Sequence, residues 1–410
     1  MNWKDSPEQS AFREEVRAFI RARFPVDYTP NTEGEQSLEP EDVWGYNWIV
    51  DIREGSPKRR GAARQWADAL AERGWTAPHW PTEYGGAGLG PHEEFILQEE
   101  MMRAGVPQVN GIAVNLLGPT LLAHGTEEQK RAHLPKIASG EVIWAQGFSE
   151  PGAGSDLASL RTRAVRDHNQ YVVNGQKVWT SLGQYADWLF ILVRTDSKGR
   201  KHRGITFLLV DVNTPGVSIR PIADIRRAQP FAEIFFEDAR VPVTNRVGDE
   251  NRGWYVAMST LAFERSGIGA TIKYERAVRD LVQYVRSEEA RRYLRDDWRS
   301  LRHEIARRWV ETRVLYNLAR YTVSIQASGD VPGYEASANQ LFSAELHQRL
   351  ARTGAKLFGE YSKLWQREGA PLDAAFSHLT LDSVAATFLA GTSEIQRNVI
   401  ATRGLGLPRE

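Results

Sequence analysis

Glu264 and Arg265 stand side by side in LAFERSGIGA (261–270), where every neighbour is apolar or small. Ser266, Gly267, Gly269 and Ala270 leave room for another molecule to come close to a helix at this point. A carboxylate in so dry a setting has its pKa raised, because burial disfavours the charged form, and it can then act as a general base. On these residues alone, an ion pair within or between helices is the default reading. A second cluster, QGFSEPGAGSD (146–156), is rich in Gly, Ser and Pro. Such a turn presents backbone N–H groups and hydroxyls to a flat heterocycle or a phosphate. It is not the dinucleotide pattern G-x-G-x-x-G, and Gly147-Phe148-Ser149-Glu150-Pro151 lacks the last glycine of a nucleophile elbow. By itself it reads as a structural turn. The third cluster is FLAGTSEIQRN (388–398). Ser393 and Gln396 have the spacing of a capping box, which predicts Gly391-Thr392 at a helix N-terminus with free N–H groups. The residue ahead of that glycine, Ala390, carries no reactive group.

The elements that must position these clusters change type twice along the chain. Phe12, Val16, Phe19 and Ile20 share one helical face with Pro7 in the first turn, and AARQWADALAERGW (62–75) and EFILQEEMMRA (94–104) repeat the spacing. HWPTEYGGAGLGP between them is a loop by its Gly and Pro content, and HGTEEQKRAHLPKI (124–137) is a further helix with Thr126 as its cap. From residue 144 onward the period becomes that of strands. Asn174-Gly175 within YVVNGQKVWTS is the strongest local hairpin signal, and WLFILVRTD, GITFLLVDV, GVSIRPI and AEIFFEDARVPV follow as β-rich runs. After Trp254 the helical pattern resumes. Leu294, Trp298, Leu301 and Ile305 step at helical intervals through RRYLRDDWRSLRHEIARRWVETRVL, so its many charges read as a solvated face. The order predicts an α+β chain divided at 1–143, 144–249 and 250–410.

With 410 residues, 41% hydrophobic and 25% charged, the chain has the make-up of a globular protein of two or three domains. Fifty-two basic residues balance fifty-two acidic ones, which argues against recruitment of nucleic acid or an anionic membrane by net charge. The absence of cysteine excludes disulfides, thiolate metal sites and a cysteine nucleophile, and fits a reducing cytoplasm. MNWKDSPEQS lacks the apolar core of a signal peptide, and WLFILV (188–193) is too short to span a bilayer. A cytoplasmic, non-membrane protein is expected. His92-Glu93 and His303-Glu304 lack the second histidine of a zinc-binding helix, so no metal is expected.

Taken together and in order, QGFSEPGAGSD, YVVNGQKVWTS and AGTSEIQRNVIATRGLGLP resemble the acyl-CoA dehydrogenases, and the likeness extends to ERGWTAPHWPTEYGGAGLG and HGTEEQKRAHLPKIASGE. The resemblance implies an N-terminal α-helical domain, a central β domain and a C-terminal four-helix bundle, with FAD between the last two. It implies that Gln146, Phe148 and Ser149 line the flavin ring, that Ser155 lies close to both flavin and the pantetheine of the substrate, and that Trp179 and Ser181 flank the ring on its other side. Thr392 and Glu394 are implied as contacts to flavin or adenosine. The implied reaction is α,β-dehydrogenation of an acyl-CoA, with electrons passing to an electron-transfer flavoprotein. The thioester carbonyl is then held by a ribityl hydroxyl and by a backbone N–H at Ala390.

Many members carry a glutamate base where this chain has Ala390. A subset that includes isovaleryl- and long-chain-type enzymes places it instead in a Glu-Arg pair on the first helix after the β domain. LAFERSGIG matches that subset, so the resemblance implies Glu264 as the base and Arg265 as its positioned neighbour on the substrate. The Arg-x-x-Phe-Gly segment by which many members reach FAD in a neighbouring subunit is missing from KYERAVRDLVQYVRSEEARRYLRDDW, and GAKLFGEYSKL keeps only part of the usual Gly-rich turn. A homo-oligomer with other FAD contacts and a hetero-oligomer with a related subunit, as in steroid-degrading relatives, both remain open. So do a non-catalytic subunit and an oxygen-using oxidase or monooxygenase of the same fold. The helix-borne base points to branched, long or bulky acyl chains, sterol side chains included.

Overall fold

The computed structural model describes residues 5–28, 46–199, 201–263, 268–294 and 297–408. The N-terminal part is helical: α1 (Pro7–Arg23), α2 (Trp48–Glu54), α3 (Pro57–Glu72), α4 (Pro91–Ala104), α5 (Gly118–His124) and α6 (Glu127–Ala138). Ser6 and Gln9 cap each other's backbone N–H at the start of α1, and Thr126 and Gln129 do the same for α6. The Thr126 cap read from sequence therefore corresponds to a real hydrogen bond, and the Ser6 box is an addition from the structure. Val16, Trp48, Trp66, Leu70, Leu97 and Met101 form one apolar core. Arg13 of α1 bridges the buried carboxylates Glu99 and Glu100 of α4, which fixes the angle between the two helices.

Eight strands follow in one sheet: β1 (Trp144–Gly147), β2 (Arg163–Asp167), β3 (Gln170–Ser181), β4 (Trp188–Arg194), β5 (Ile205–Asp211), β6 (Val217–Ile222), β7 (Phe231–Pro242) and β8 (Arg246–Val247). The spatial order is β6-β7-β3-β2-β4-β5-β8, with β1 parallel to β4 off that path. WLFILV is apolar throughout because both faces of β4 are covered. Phe190 and Leu192 join a core shared with the N-terminal helices, whereas Leu189, Ile191 and Val193 face the other side of the sheet.

Asn174-Gly175 is not the hairpin turn that its sequence predicts. Both residues stay inside β3, where the ladder to β7 shifts register between Val173 and Gly175. Asn174 and Asp238 exchange two hydrogen bonds of 2.9 Å across this irregularity. Gly175 has φ +145°, and a Cβ there would lie 2.7 Å from Thr162 Cα. A bulge and a turn ask for the same residue types, so local sequence does not separate them. The turn between β2 and β3 lies instead at His168-Asn169, with His168 at φ 53°.

The C-terminal part is again helical: α7 (Gly253–Phe263), α8 (Ile268–Tyr284), the short α9 (Ala290–Tyr293), α10 (Arg302–Ala327), α11 (Tyr334–Phe358), α12 (Ala375–Ala385) and α13 (Ser393–Val399). Leu281, Ile305, Leu346, Leu350 and Phe376 belong to the core around which α8, α10, α11 and α12 pack. The charged stretch before α10 is not one continuous helix, as its spacing suggested. A 3-10 turn at Trp298–Leu301 separates α9 from α10. Leu294, Trp298 and Leu301 still pack on the same core as Ile305, and that shared burial produces the helix-like spacing. Phe95 of α4 meets Ile268, Ile272 and Tyr316, joining the two helical parts. No helix among the described residues is long and apolar enough to cross a membrane.

Candidate active site

The turn after β1 is built around a buried ion pair. Lys177 has no exposed surface, and its Nζ donates to Glu150 Oε1 at 2.8 Å and to the Phe148 carbonyl at 3.1 Å. Glu150 also accepts from the backbone N–H groups of Arg161 (2.6 Å) and Thr162 (2.8 Å). Burial pushes the Lys177 ammonium down to about 8 against the pull of Glu150. Burial also works against the Glu150 carboxylate, yet the charge of Lys177 and the hydrogen bonds it accepts hold it below its ordinary range. Glu150 and Ala153 exchange backbone hydrogen bonds of 3.0 Å across Pro151-Gly152, closing a tight turn. The Ser149 carbonyl accepts from Val178 N–H at 2.9 Å, so the turn is fastened to β3. Phe148 packs edge-on to Phe190 and Phe207, and Ser155 is exposed beyond the turn.

Two residues later β3 bulges. Its pairing with β7 jumps from Lys177↔Ile234 to Thr180↔Ala232, which leaves Val178 and Trp179 opposite Glu233 alone. Trp179 takes φ 60° and is 58% exposed, its ring 6.0 Å from that of Phe231. An indole held out of a sheet by a strained bulge is a flat platform, more than half of it open to solvent. Thr180 turns inward, and its buried Oγ1 has no hydrogen-bond partner among the described residues. The side-chain nitrogen of Gln146 on β1 is likewise buried and, among the described residues, unpartnered. Added Cβ atoms at Gly152 and Gly154 would meet nothing within 4 Å. Unpaired amide and hydroxyl groups, a free aromatic face and an open glycine turn fit a planar heterocycle that carries hydrogen-bonding edges, such as a flavin.

The C-terminal loop has a different cap from the expected one. Thr392, not Ser393, caps α13, its Oγ1 accepting from Ile395 N–H at 3.2 Å. Gln396 does not complete a box but donates to the carbonyls of Ala390 (3.4 Å) and Gly391 (3.3 Å). The left-handed backbone at Ala390 (φ 50°) and Gly391 (φ 92°) turns those carbonyls toward α13, and Gln396 is the residue within reach. Among the described residues the N–H groups of Ala390, Gly391 and Thr392 have no acceptor. Glu394 is exposed in the first turn of α13. Glu264 and Arg265 fall between α7 and α8 and lie outside the described residues.

The structure thus fastens the turn of Phe148 and Ser149, which follows β1 and its Gln146, to the Val178–Ser181 end of β3 through the Val178 N–H to Ser149 carbonyl bond, and groups Ala390, Thr392 and Glu394 on a separate loop. The β region is tied to the helix that leads to this loop by Arg226, which binds Asp224 at 2.6 Å and Asp382 of α12 at 3.2 Å. Sequence reasoning missed Glu150, Lys177, Thr180 and this clasp. Lys177 carried a usable signal, because it falls on the buried parity of β3 with Tyr171 and Val173, and a buried cation calls for a carboxylate.

Family models for the acyl-CoA dehydrogenase N-terminal, middle and C-terminal domains match residues 51–141, 145–239 and 251–405. Fold and match agree: the chain belongs to the acyl-CoA dehydrogenase family, whose members are flavin-dependent oxidoreductases. It is 41% identical over 372 residues to the acyl-CoA dehydrogenase IpdE1 of Mycobacterium tuberculosis, covering 87% of this chain and 92% of that one. Among solved structures it is similar to the Tcur3481-Tcur3483 steroid ACAD, with 31% identity, a TM-score of 0.82 and full coverage of both chains (100% and 100%). It is also similar to the ChsE4-ChsE5 complex from Mycobacterium tuberculosis, with 33% identity, a TM-score of 0.77 and the same coverage (100% and 100%).

Proposed function

We propose that this chain holds FAD and converts an acyl-CoA thioester to the 2-enoyl-CoA, with Glu264 as the base that removes the α proton. The observation that carries this reading is the Ala390 turn. It offers an unpaired backbone N–H but no reactive side chain, while a Glu-Arg pair sits at the junction of α7 and α8. Removing a weakly acidic α proton requires donors aimed at the carbonyl oxygen as negative charge builds there. The Ala390 N–H is such a donor, and Arg265 orients the substrate beside the base. Gln146, Phe148 and Ser149 hold one side of the flavin ring, and Trp179 and Ser181 the other. Ser155 meets flavin and pantetheine, and Thr392 and Glu394 meet the cofactor. FAD, when bound, accepts the β hydrogen as hydride, and an electron-transfer flavoprotein reoxidises it in the cytoplasm. The cofactor would be held between residues 144–249 and 250–410.

The substrate is a bulky acyl-CoA of steroid origin, a reading supported by the likeness to a steroid ACAD and by alanine in place of a larger base at position 390. A hetero-oligomer with a related subunit is favoured over a homo-oligomer. Its support is the missing Arg-x-x-Phe-Gly segment, together with the similarity to a two-component complex. Anaerobic titration of the purified flavoprotein with short, branched, long and steroidal acyl-CoAs tests the function. Bleaching of the flavin band by the bulky members is expected, and a flavin that no thioester bleaches would refute it.

A further inference from the structure

Asp382 of α12 is faced by side chains from three other parts of the chain. Its Oδ1 accepts from Arg226 Nη1 at 3.2 Å, and its Oδ2 lies 3.5 Å from Lys273 Nζ of α8 and 3.5 Å from His347 Nε2 of α11. Arg226 is 8% exposed and is aimed by Asp224, which accepts from its Nε at 2.8 Å and from its Nη2 at 2.6 Å. Burial, and after it the Lys273 ammonium, pushes the His347 imidazole down to about 4, so at neutral pH that ring adds no charge. Two carboxylates therefore face two cations, and the charges balance only while Asp382 is ionised. A bridge of this kind holds the elements it joins in one arrangement, because losing one partner leaves a poorly solvated charge behind.

The elements on either side of the bridge both carry groups of the proposed site. The β6–β7 loop that holds Arg226 also supplies the Pro230 carbonyl to Leu182 N–H at 2.8 Å and the Gln229 carbonyl to Gln184 Nε2 at 2.6 Å, just past the Trp179 bulge. Phe231, next along the chain, meets the Trp179 ring. On the other side, α12 runs into the Ala390 turn without slack. The Ala385 carbonyl at its end accepts from Phe388 N–H and Leu389 N–H at 3.0 Å, and the Thr387 carbonyl accepts from Ser393 N–H at 2.8 Å. Building on the acyl-CoA dehydrogenase reading, we propose that Asp382 is a positioning residue: through Arg226 and Lys273 it registers the Ala390 N–H against the Trp179 platform, and so aligns the thioester carbonyl with the flavin while touching neither. A donor displaced by a fraction of an ångström still lets the thioester bind but stabilises its developing negative charge less well. Loss of Asp382 is then felt in the rate and not in the affinity.

The test compares the wild-type holoenzyme with its Asp382→Asn, Arg226→Gln, double and Asp382→Glu variants. Anaerobic bleaching is followed against the concentration of an acyl-CoA, and the carbonyl stretch of bound 2-enoyl-CoA, isotopically labelled at that carbonyl, is read by infrared difference spectroscopy. Asp382→Asn and Arg226→Gln are each expected to lower the limiting rate per bound flavin about tenfold with half-saturation kept within about twofold, and the double variant to lose no more than the worse single one. The wild type is expected to lower the carbonyl stretch relative to water, and Asp382→Asn to lose most of that lowering. Arg226→Gln reads the same bridge from its other end, so a folding defect peculiar to Asp382→Asn does not decide the outcome, and Asp382→Glu restores part of both signals. Variants that melt earlier or hold less flavin, yet keep the wild-type rate per flavin and the wild-type carbonyl stretch, overturn the proposal and make Asp382 structural. A carbonyl that responds as expected in a protein whose flavin no thioester bleaches supports the positioning role and refutes the dehydrogenase reading. A wild-type carbonyl stretch equal to that in water refutes the Ala390 donor and the proposal with it.

Discussion

Lys177 is the residue on which the turn proposed to face the flavin depends, since it holds both the Phe148 carbonyl and Glu150 while fully buried. Its folded value of about 8 lies below the ordinary lysine value of 10.5. Between those two values the unfolded chain binds more protons, so this group alone makes stability rise with pH across that window and is a penalty below it. Glu150 acts with the opposite limits: its contribution is present above its ordinary value of 4.5 and is lost as pH falls through its lowered folded value. Lys177→Met is expected to abolish the alkaline rise in a plot of melting temperature against pH, and to weaken flavin retention at least tenfold by leaving Glu150 buried and unpaired. A variant whose alkaline slope matches the wild type would contradict that role.

At the scale of elements, the bulge in β3 does what a regular strand cannot: it puts Trp179 outside the sheet and Thr180 inside. Trp179→Ala removes an exposed ring, so unfolding of the flavin-free chain should change by less than about 0.5 kcal/mol. Flavin dissociation, followed by fluorescence, should by contrast be about tenfold faster. A large loss of stability with unchanged flavin affinity would make the indole a structural residue. The strands themselves were legible, because the WLFILV run and its neighbours are apolar enough to be nothing but covered strands. The bulges were not, because Asn174-Gly175 suits a turn equally well and nothing in VWTS marks an insertion. The choice between Thr392 and Ser393 as cap was also hidden, since adjacent hydroxyls present the same local signal. The Arg226–Asp382 clasp joins residues 156 positions apart, beyond the reach of any local pattern.

At the scale of the whole molecule, the loop that carries Ala390 is preceded by exposed apolar residues. Phe388 is 57% exposed, and Val384 and Leu389 are also on the surface. A patch of that kind beside the proposed cofactor site marks an interface. Co-expression with a related subunit is expected to give a larger particle with higher flavin content than this chain alone, measured by light scattering and absorbance. A fully flavinated, active assembly of this chain by itself would contradict the hetero-oligomer. The segment order, helical then β then helical, was readable because each part has its own hydrophobic period. The proposed reaction rests on Glu264. Anaerobic addition of an acyl-CoA that bleaches the wild-type flavin to a Glu264→Gln flavoprotein tests that residue directly. The variant should keep its flavin and bleach roughly 100 to 10,000 times more slowly, whereas bleaching at the wild-type rate would show that the α proton leaves to another group.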